Sequence, residues 1–249
     1  MAHPFPLRLV GSRMLAPSVR HLVFARDDGQ PLDFIPGQFI QVHFNYPDGT
    51  ATKRSYSLAT MHDHALGPGD TVEIAVSYVA GGAATALFTA LDEGQQIQAS
   101  GPYGRFCLNA NDGNRRYLLI GTGTGVTPYR SMLPMLAQLL AERELEVVLI
   151  LGARTASELL YAEDFRAFAA ANPRFRFIGC VSREQPNADA SDLRAGYVQD
   201  ALATLAPDGT HDIAYLCGNP NMVDVCFEAL KGHGLPIPHI RREKYVSSK

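Results

Sequence analysis

Residues 5 to about 108 alternate short apolar stretches with turn signals. The stretches 19–26, 39–46 and 71–79 are rich in Val, Ile, Phe and Tyr and partly alternate apolar with polar positions. A period near two reads as half-buried strands. Asp27-Asp28-Gly29, Ile35-Pro36-Gly37, Pro47-Asp48-Gly49 and Gly67-Pro68-Gly69 separate them, each a turn signal. Several short strands at this spacing predict an antiparallel β-barrel. One helix, over 83–91, interrupts it directly after Gly81-Gly82.

The pattern changes after the polar, turn-rich stretch 109–116 (NANDGNRR), where the domain boundary is placed. Strands are expected over 116–121, 146–152, 175–182 and 212–218. Helices are expected over 128–143, 157–171, 197–205 and 220–233, with an extended tail over 236–246. Strand and helix in alternation mean βαβ units and a parallel sheet. The predicted architecture is therefore two-domain, an N-terminal antiparallel β-barrel followed by a C-terminal α/β parallel-sheet domain. Pro134 falls inside the first of these helices, where an interior proline costs about 3 kcal/mol. That helix is expected either to kink there or to start later.

Composition narrows the function classes. The chain has 249 residues, 46% hydrophobic and 19% charged, with a net charge of −3. This is an ordinary globular balance, without the basic footprint of a nucleic-acid binder. No apolar run approaches the roughly 20 residues of a membrane span, and the N-terminus lacks a signal-peptide core. A cytoplasmic location is the expectation. Cys107, Cys180, Cys217 and Cys226 form no CxxC pair and no cluster-ligand spacing, which argues against an iron–sulfur centre, another metal site or a disulfide framework.

Three stretches carry candidate chemistry. Gly121-Thr122-Gly123-Thr124-Gly125-Val126-Thr127-Pro128 follows the apolar strand 117–120 and opens a helix. Glycines there let a backbone approach a pyrophosphate, and the helix N-terminus offers free N–H groups and a positive dipole end. The spacing is not the ordinary GxGxxG, and a plain βα turn also fits. Arg54-Ser55-Tyr56-Ser57 offers a fixed cation for a diphosphate, a ring to stack on a planar group and a hydroxyl for a ring nitrogen. A polar strand with a core tyrosine fits those residues as well. Positions 54 and 56 share one strand face and 55 and 57 the other, so aiming all four at one ligand requires a local twist or bend. Gly81-Gly82-Ala83-Ala84-Thr85 precedes the short helix and reads either as a second diphosphate cradle or as a glycine-rich turn with a capping threonine.

These motifs occur in one order with GPYGRF at 101–106 and LCGNPNMV at 216–223. In that order the chain resembles the ferredoxin-NADP reductase family, its bacterial members most, from about residue 5 to the C-terminus. The resemblance implies an FAD-binding barrel domain at 1–108 and an NAD(P)-binding domain at 109–249. It implies that Arg54 holds the FAD diphosphate, that Tyr56 packs against the flavin and that Ser57 approaches flavin N5. Gly82 to Thr85 would cradle the diphosphate. Cys217, followed by Gly218-Asn219, would help orient the nicotinamide ring, a positioning role rather than a nucleophilic one. Glu243 would supply protons to the reduced flavin and Tyr245 would cover its ring face, although the chain continues past Tyr245 to Lys249.

NADPH is the expected donor. Arg154 and Arg183 each follow a parallel strand and suit a 2′-phosphate, and Ser182 with Arg183 looks like the adenosine-phosphate site of NADP-using relatives. Gly196-Tyr197-Val198 points instead towards NADH-using relatives, with Arg194 close by to compensate. The function implied is electron exchange between NADPH and ferredoxin or flavodoxin. Arg105, Lys53, Arg241 and Arg242 are candidate docking cations, and a monomer is expected. Alternatives are an NADH-preferring flavin reductase, a separate reductase component of an oxygenase, and a non-enzymatic nucleotide-binding regulatory module.

Overall fold

The computed structural model describes residues 3–62, 66, 70–109 and 111–246. The turn signal Gly67-Pro68-Gly69, position 110 of the boundary stretch and the tail after Val246 lie outside the described residues. The chain forms two compact units. Among the described residues, the first comprises those up to 108 together with 127–134, and the second the rest of 109–246.

The first unit is built on six antiparallel strands: β1 (Phe5–Ala16), β2 (Val19–Arg26), β3 (Phe39–Asn45), β4 (Ala51–Ser57), β5 (Thr71–Ser77) and β6 (Gln96–Tyr103). Their order is β4-β3-β6-β1-β2-β5. The two edge strands meet. β4 pairs with β3 as far as Ser57 opposite Phe39, and then Leu58 bridges Ile74 of β5. Ala59 N–H donates to the Glu73 carbonyl at 2.7 Å. That handover draws the two end strands of the sheet together into a barrel. Phe24, Ile40, Val42, Leu58, Ile74 and Phe88 fill the interior. The short helix α1 (Ala83–Ala90) supplies Phe88 to that core.

The second unit holds β7 (Arg116–Thr122), β8 (Glu146–Ala153), β9 (Phe175–Val181), β10 (Leu193–Ala195), β11 (Asp212–Gly218) and β12 (Ile240–Lys244). All neighbouring pairs are parallel, in the order β10-β9-β8-β7-β11-β12. Central strands buried on both faces read as continuous apolar runs, as in Tyr117-Leu118-Leu119-Ile120 and Val147-Val148-Leu149-Ile150. Sequence order reverses between β7 and β11, so the ends of these two strands flank the crevice where open α/β sheets take ligands. At their other ends Arg116 grips the buried Asp212 with two bonds of 2.8 and 2.6 Å, which fixes the register of the pair.

Helix α2 (Thr127–Glu142) runs unbroken through Pro134. It starts one residue earlier than expected, not later. Burying Tyr129, Met132, Leu136 and Leu139, at about 1.5–3 kcal/mol each, outweighs the proline's cost of about 3 kcal/mol. Helix α3 (Ala162–Ala171) is shorter than the expected 157–171. Tyr161 takes a left-handed backbone, φ 57, which an α-helix does not continue through, and 156–158 form a separate 3-10 turn. Helices α4 (Val198–Ala203) and α5 (Pro220–Gly232) lie where helices were expected. The tail expected at 236–246 is in part a sixth parallel strand, β12.

Candidate active site

The barrel unit places Arg54 and Tyr56 on one side of β4. Arg54 is half-buried among Phe44 and Tyr46, with its guanidinium carbon 5.9 and 5.8 Å from their ring centres. Its Nη2 donates to the Tyr46 hydroxyl at 2.7 Å, and its Nη1 to Thr52 Oγ1 and the Lys53 carbonyl at 3.0 Å each. These neighbours hold the cation without neutralising it. Tyr56 meets Phe88 edge-on, 5.3 Å between centres, so the core sets its ring orientation. Burial pushes its phenol up to about 12. Ser57 is buried at the bend where the strand passes from β3 to β5. The bend that the alternating pattern required is thus the barrel's own closure. Ser55 is exposed on the other side.

The Gly81–Thr85 stretch forms the start of α1. Gly81 has φ +72 with open space beside its Cα, and Gly82 caps the helix without any side-chain hydrogen bond. Thr85 Oγ1 accepts the Val79 N–H at 2.8 Å, so the threonine closes the loop and keeps its hydroxyl proton to give. Ala83 and Ala84 contribute backbone only. A guanidinium, an uncapped helix start, a fixed aromatic ring and a buried hydroxyl form a donor set that suits a flavin dinucleotide.

In the second unit, β7 ends in a 3-10 turn, Gly123–Val126, that leads into α2. Two glycines do different jobs there. A Cβ on Gly125 would lie 2.3 Å from the Cys217 carbonyl oxygen, so this residue lets β7's turn seat on the end of β11. Gly123, at φ +55, has nothing within 4 Å of a built Cβ, which leaves room for a ligand. Gly121 and Thr122 end β7, and Thr122 Oγ1 accepts the Asn219 N–H at 3.1 Å. Gly218, at φ +127, would bring a Cβ within 2.6 Å of the Thr122 carbonyl. Asn219 caps α5 through Asn221 and Met222 N–H. Thr127 is 2% exposed and its Oγ1 has no partner among the described residues. An orphaned hydroxyl at the uncapped start of a 16-residue helix fits a bound dinucleotide.

Three residues gather at the end of β11. Cys217 is fully buried and pairs in register with Glu243 of β12. Burial and the Glu243 charge push the Cys217 thiol well up, against a hydrogen bond from the Tyr245 side chain, so it stays a neutral thiol. Burial raises the Glu243 carboxyl to about 7. Tyr245 N–H closes onto the Gly218 carbonyl at 2.8 Å. Pairing in β12 is what brings Glu243 and Tyr245 here, a partner that the expected extended tail over 236–246 did not specify. None of the four cysteines is in a disulfide.

Arg154 and Arg183 lie side by side just past β8 and β9. Ser182 N–H donates to the Ala153 carbonyl at 3.1 Å and Arg183 N–H to the Arg154 carbonyl at 2.8 Å. Both side chains are exposed, and among the described residues neither guanidinium has a hydrogen bond or ion pair. Arg194 differs, because its Nη1 donates to Thr204 Oγ1 at 2.9 Å. Tyr197, next to the left-handed Gly196, is 61% exposed. Of the candidate docking cations, Arg242 stacks on Phe227 at 4.0 Å, and Lys53, Arg105 and Arg241 are exposed.

Comparison with known proteins adds independent information. Residues 6–107 match the oxidoreductase FAD-binding domain and residues 119–227 the oxidoreductase NAD-binding domain. The chain is 34% identical to ferredoxin–NADP reductase B of Sorangium cellulosum, over 98% of both proteins. It is 31% identical to the propane 2-monooxygenase reductase component of Rhodococcus jostii, covering 86% of this chain but 56% of that protein. Its fold overlays the crystal structure of the Amycolatopsis cytochrome P450 reductase GcoB with a TM-score of 0.82 at 30% identity, covering 97% of this chain and 69% of that one. No helix among the described residues is long and apolar enough to cross a membrane.

Proposed function

The chain belongs to the ferredoxin–NADP reductase family of FAD-dependent oxidoreductases, and we propose that it moves electrons between NADPH and a one-electron carrier of the ferredoxin or flavodoxin type. When bound, FAD takes up a hydride as an electron pair and gives electrons up singly. The protein's part is to hold, orient and supply protons. Arg54 and the start of α1, from Gly81 to Thr85, bind the flavin diphosphate. Tyr56 packs against the flavin ring, and Ser57 offers its hydroxyl to N5. Gly121 to Thr127 bind the nicotinamide dinucleotide, with Gly123 leaving room and Thr127 Oγ1 finding its partner there. Gly218 and Asn219 shape the other wall.

The gathering of Cys217, Glu243 and Tyr245 at the end of β11 carries the reading. A module that only bound nucleotides would have no use for a carboxyl held near pH 7 beside an uncharged thiol. Cys217 gives the nicotinamide a small apolar support. Glu243 holds a proton on its carboxyl near neutrality and can release it to a reduced ligand. Tyr245 adds an aromatic side chain at the same strand end.

Arg154 and Arg183 favour NADPH, because two uncommitted guanidinium groups next to Ser182 suit a 2′-phosphate. One observation favours a second reading, an NADH-dependent reductase component of an oxygenase or a flavin reductase. Arg194 is already engaged by Thr204, and the exposed Tyr197 offers a flat face rather than a cation. The acceptor decides between them. NADPH oxidation by the purified holoprotein should be coupled in turn to a ferredoxin, a flavodoxin and free flavin mononucleotide. Faster turnover with either carrier protein supports the proposal, and turnover only with free flavin, driven better by NADH, supports the second reading.

A further inference from the structure

The first turns of α2 carry a buried ion pair that neither cofactor site uses. Arg130 is 8% exposed. Its Nη1 donates to the Ala59 carbonyl and to Glu73 Oε2, both at 2.6 Å. Glu73 Oε2 also lies 3.3 Å from Nε2 of the buried His21. The backbone of Glu73 is fixed on both sides, by Thr60 Oγ1 accepting its N–H at 2.8 Å and by Ala59 N–H donating to its carbonyl. Burial pushes the Glu73 carboxyl up, but His21 and Arg130 together bring it below its ordinary value, so the carboxylate stays charged and the pair persists.

The location gives the pair its meaning. Ala59 stands two residues past Ser57, on the segment that closes the barrel. Residues 127–134 pack as part of the barrel unit, although they open the helix that follows the dinucleotide turn. Ser131 Oγ accepts the Gly37 N–H at 3.2 Å, and Tyr129 packs against Phe106 at 6.1 Å between ring centres. For stability alone, apolar side chains of similar volume would serve as well as a buried ion pair, or better. What the pair adds is direction, since one nitrogen bonded to two fixed oxygens sets both place and angle.

We infer that Arg130 is a positioning residue for hydride transfer. With Glu73 and the Ala59 carbonyl, it fixes the start of α2, and so Thr127, against the strand end that carries Ser57. The inference rests on the flavin and nicotinamide sites proposed above. Transfer between two bound rings is sensitive to small displacements, and a misplacement of about 1 Å can cost on the order of 100-fold in rate.

The test uses the FAD-loaded full chain and four variants: Arg130→Met, Glu73→Gln, the double variant and Arg130→Lys. Arg130→Met leaves the buried Glu73 with His21 as its remaining ion-pair partner, and Glu73→Gln takes the carboxylate away from Arg130; each lowers Tm, whereas the double variant recovers part of that loss. Anaerobic reduction by NADPH is followed in rapid mixing, NADP+ affinity by titration, and amide exchange of residues 130–134 by mass spectrometry. In the double variant the reduction rate stays roughly 10- to 100-fold low, with FAD content and NADP+ affinity retained and residues 130–134 exchanging faster. Arg130→Lys regains part of the rate. A double variant that reduces as fast as the parent, or loses rate only through lost FAD or NADP+ affinity, overturns the inference and leaves the functional reading intact. A parent protein reduced by neither NADPH nor NADH overturns both.

Discussion

Glu243 stands directly opposite Cys217 in the parallel pairing of β12 with β11, and the enclosure that buries the thiol also raises the Glu243 carboxyl to about 7. The raised value has a definite sign for stability. A carboxyl higher in the folded than in the unfolded protein stabilises the fold fully below its unfolded pKa. That contribution is lost as pH rises through about 7. Urea unfolding from about pH 5 to about pH 9 should therefore show the parent losing on the order of 2 kcal/mol relative to Glu243→Gln, allowing for partial solvent screening. Parallel curves for the two proteins would remove Glu243 from its assigned environment.

The same carboxyl should be visible in catalysis. The rate of flavin reduction by NADPH is expected to bend near pH 7 in the parent and to lose that bend in Glu243→Gln, while Cys217→Ser keeps it. A bend that survives Glu243→Gln would assign it to another group.

Donor choice should follow Arg154 and Arg183. Replacing either with Ala is expected to lower kcat/KM for NADPH by about 10- to 100-fold, the cost of a lost charge-assisted contact, and to leave NADH almost unchanged. Stability should not move, since both side chains are exposed and uncommitted. Equal losses with both donors would place the 2′-phosphate elsewhere.

Gly123 and Gly125 separate a ligand requirement from a packing requirement. Gly125→Ala drives a Cβ to 2.3 Å from the Cys217 carbonyl, and thermal melts should show a large loss or no folded protein. Gly123→Ala meets no atom and costs only about 1 kcal/mol for its positive φ. Its nucleotide KM should nevertheless rise at least roughly 10-fold, because the methyl group fills the space meant for the pyrophosphate. An unchanged KM would show that the open space is not a binding site.

Arg54→Ala should fold normally and lose FAD. Its guanidinium lies at a half-buried strand position with neutral partners, so the fold does not depend on its charge. FAD content after dialysis measures the effect, with affinity expected to fall on the order of 10- to 100-fold.

What was legible in the sequence is what backbone chemistry demands locally. The glycine-rich turn after an apolar strand, the RSYS strand and the Cys-Gly-Asn strand end each depend on neighbours within a few residues. Their order along the chain also carried the family resemblance. The handover of β4 from β3 to β5 was legible only as a need, since alternation showed that Arg54 and Ser57 faced opposite ways but not how the strand would bend. Two features could not be read at all. Glu73 meets Arg130 and His21 across 57 and 52 positions, and no local pattern links such residues. The pairing of β12 beside β11 needs only a short, charged stretch, Ile240–Lys244, whose sequence carries no strand signal. The start of α3 was misplaced because the left-handed backbone of Tyr161 occurs at a residue that gives no warning of it.

The most direct test of the account is anaerobic reduction of the purified yellow protein by NADPH, with NADH alongside. About one FAD per chain is expected, with full bleaching of the flavin by stoichiometric NADPH and a much larger second-order rate constant for NADPH than for NADH. A protein that binds no FAD, or an FAD-loaded protein that neither dinucleotide reduces, would contradict it.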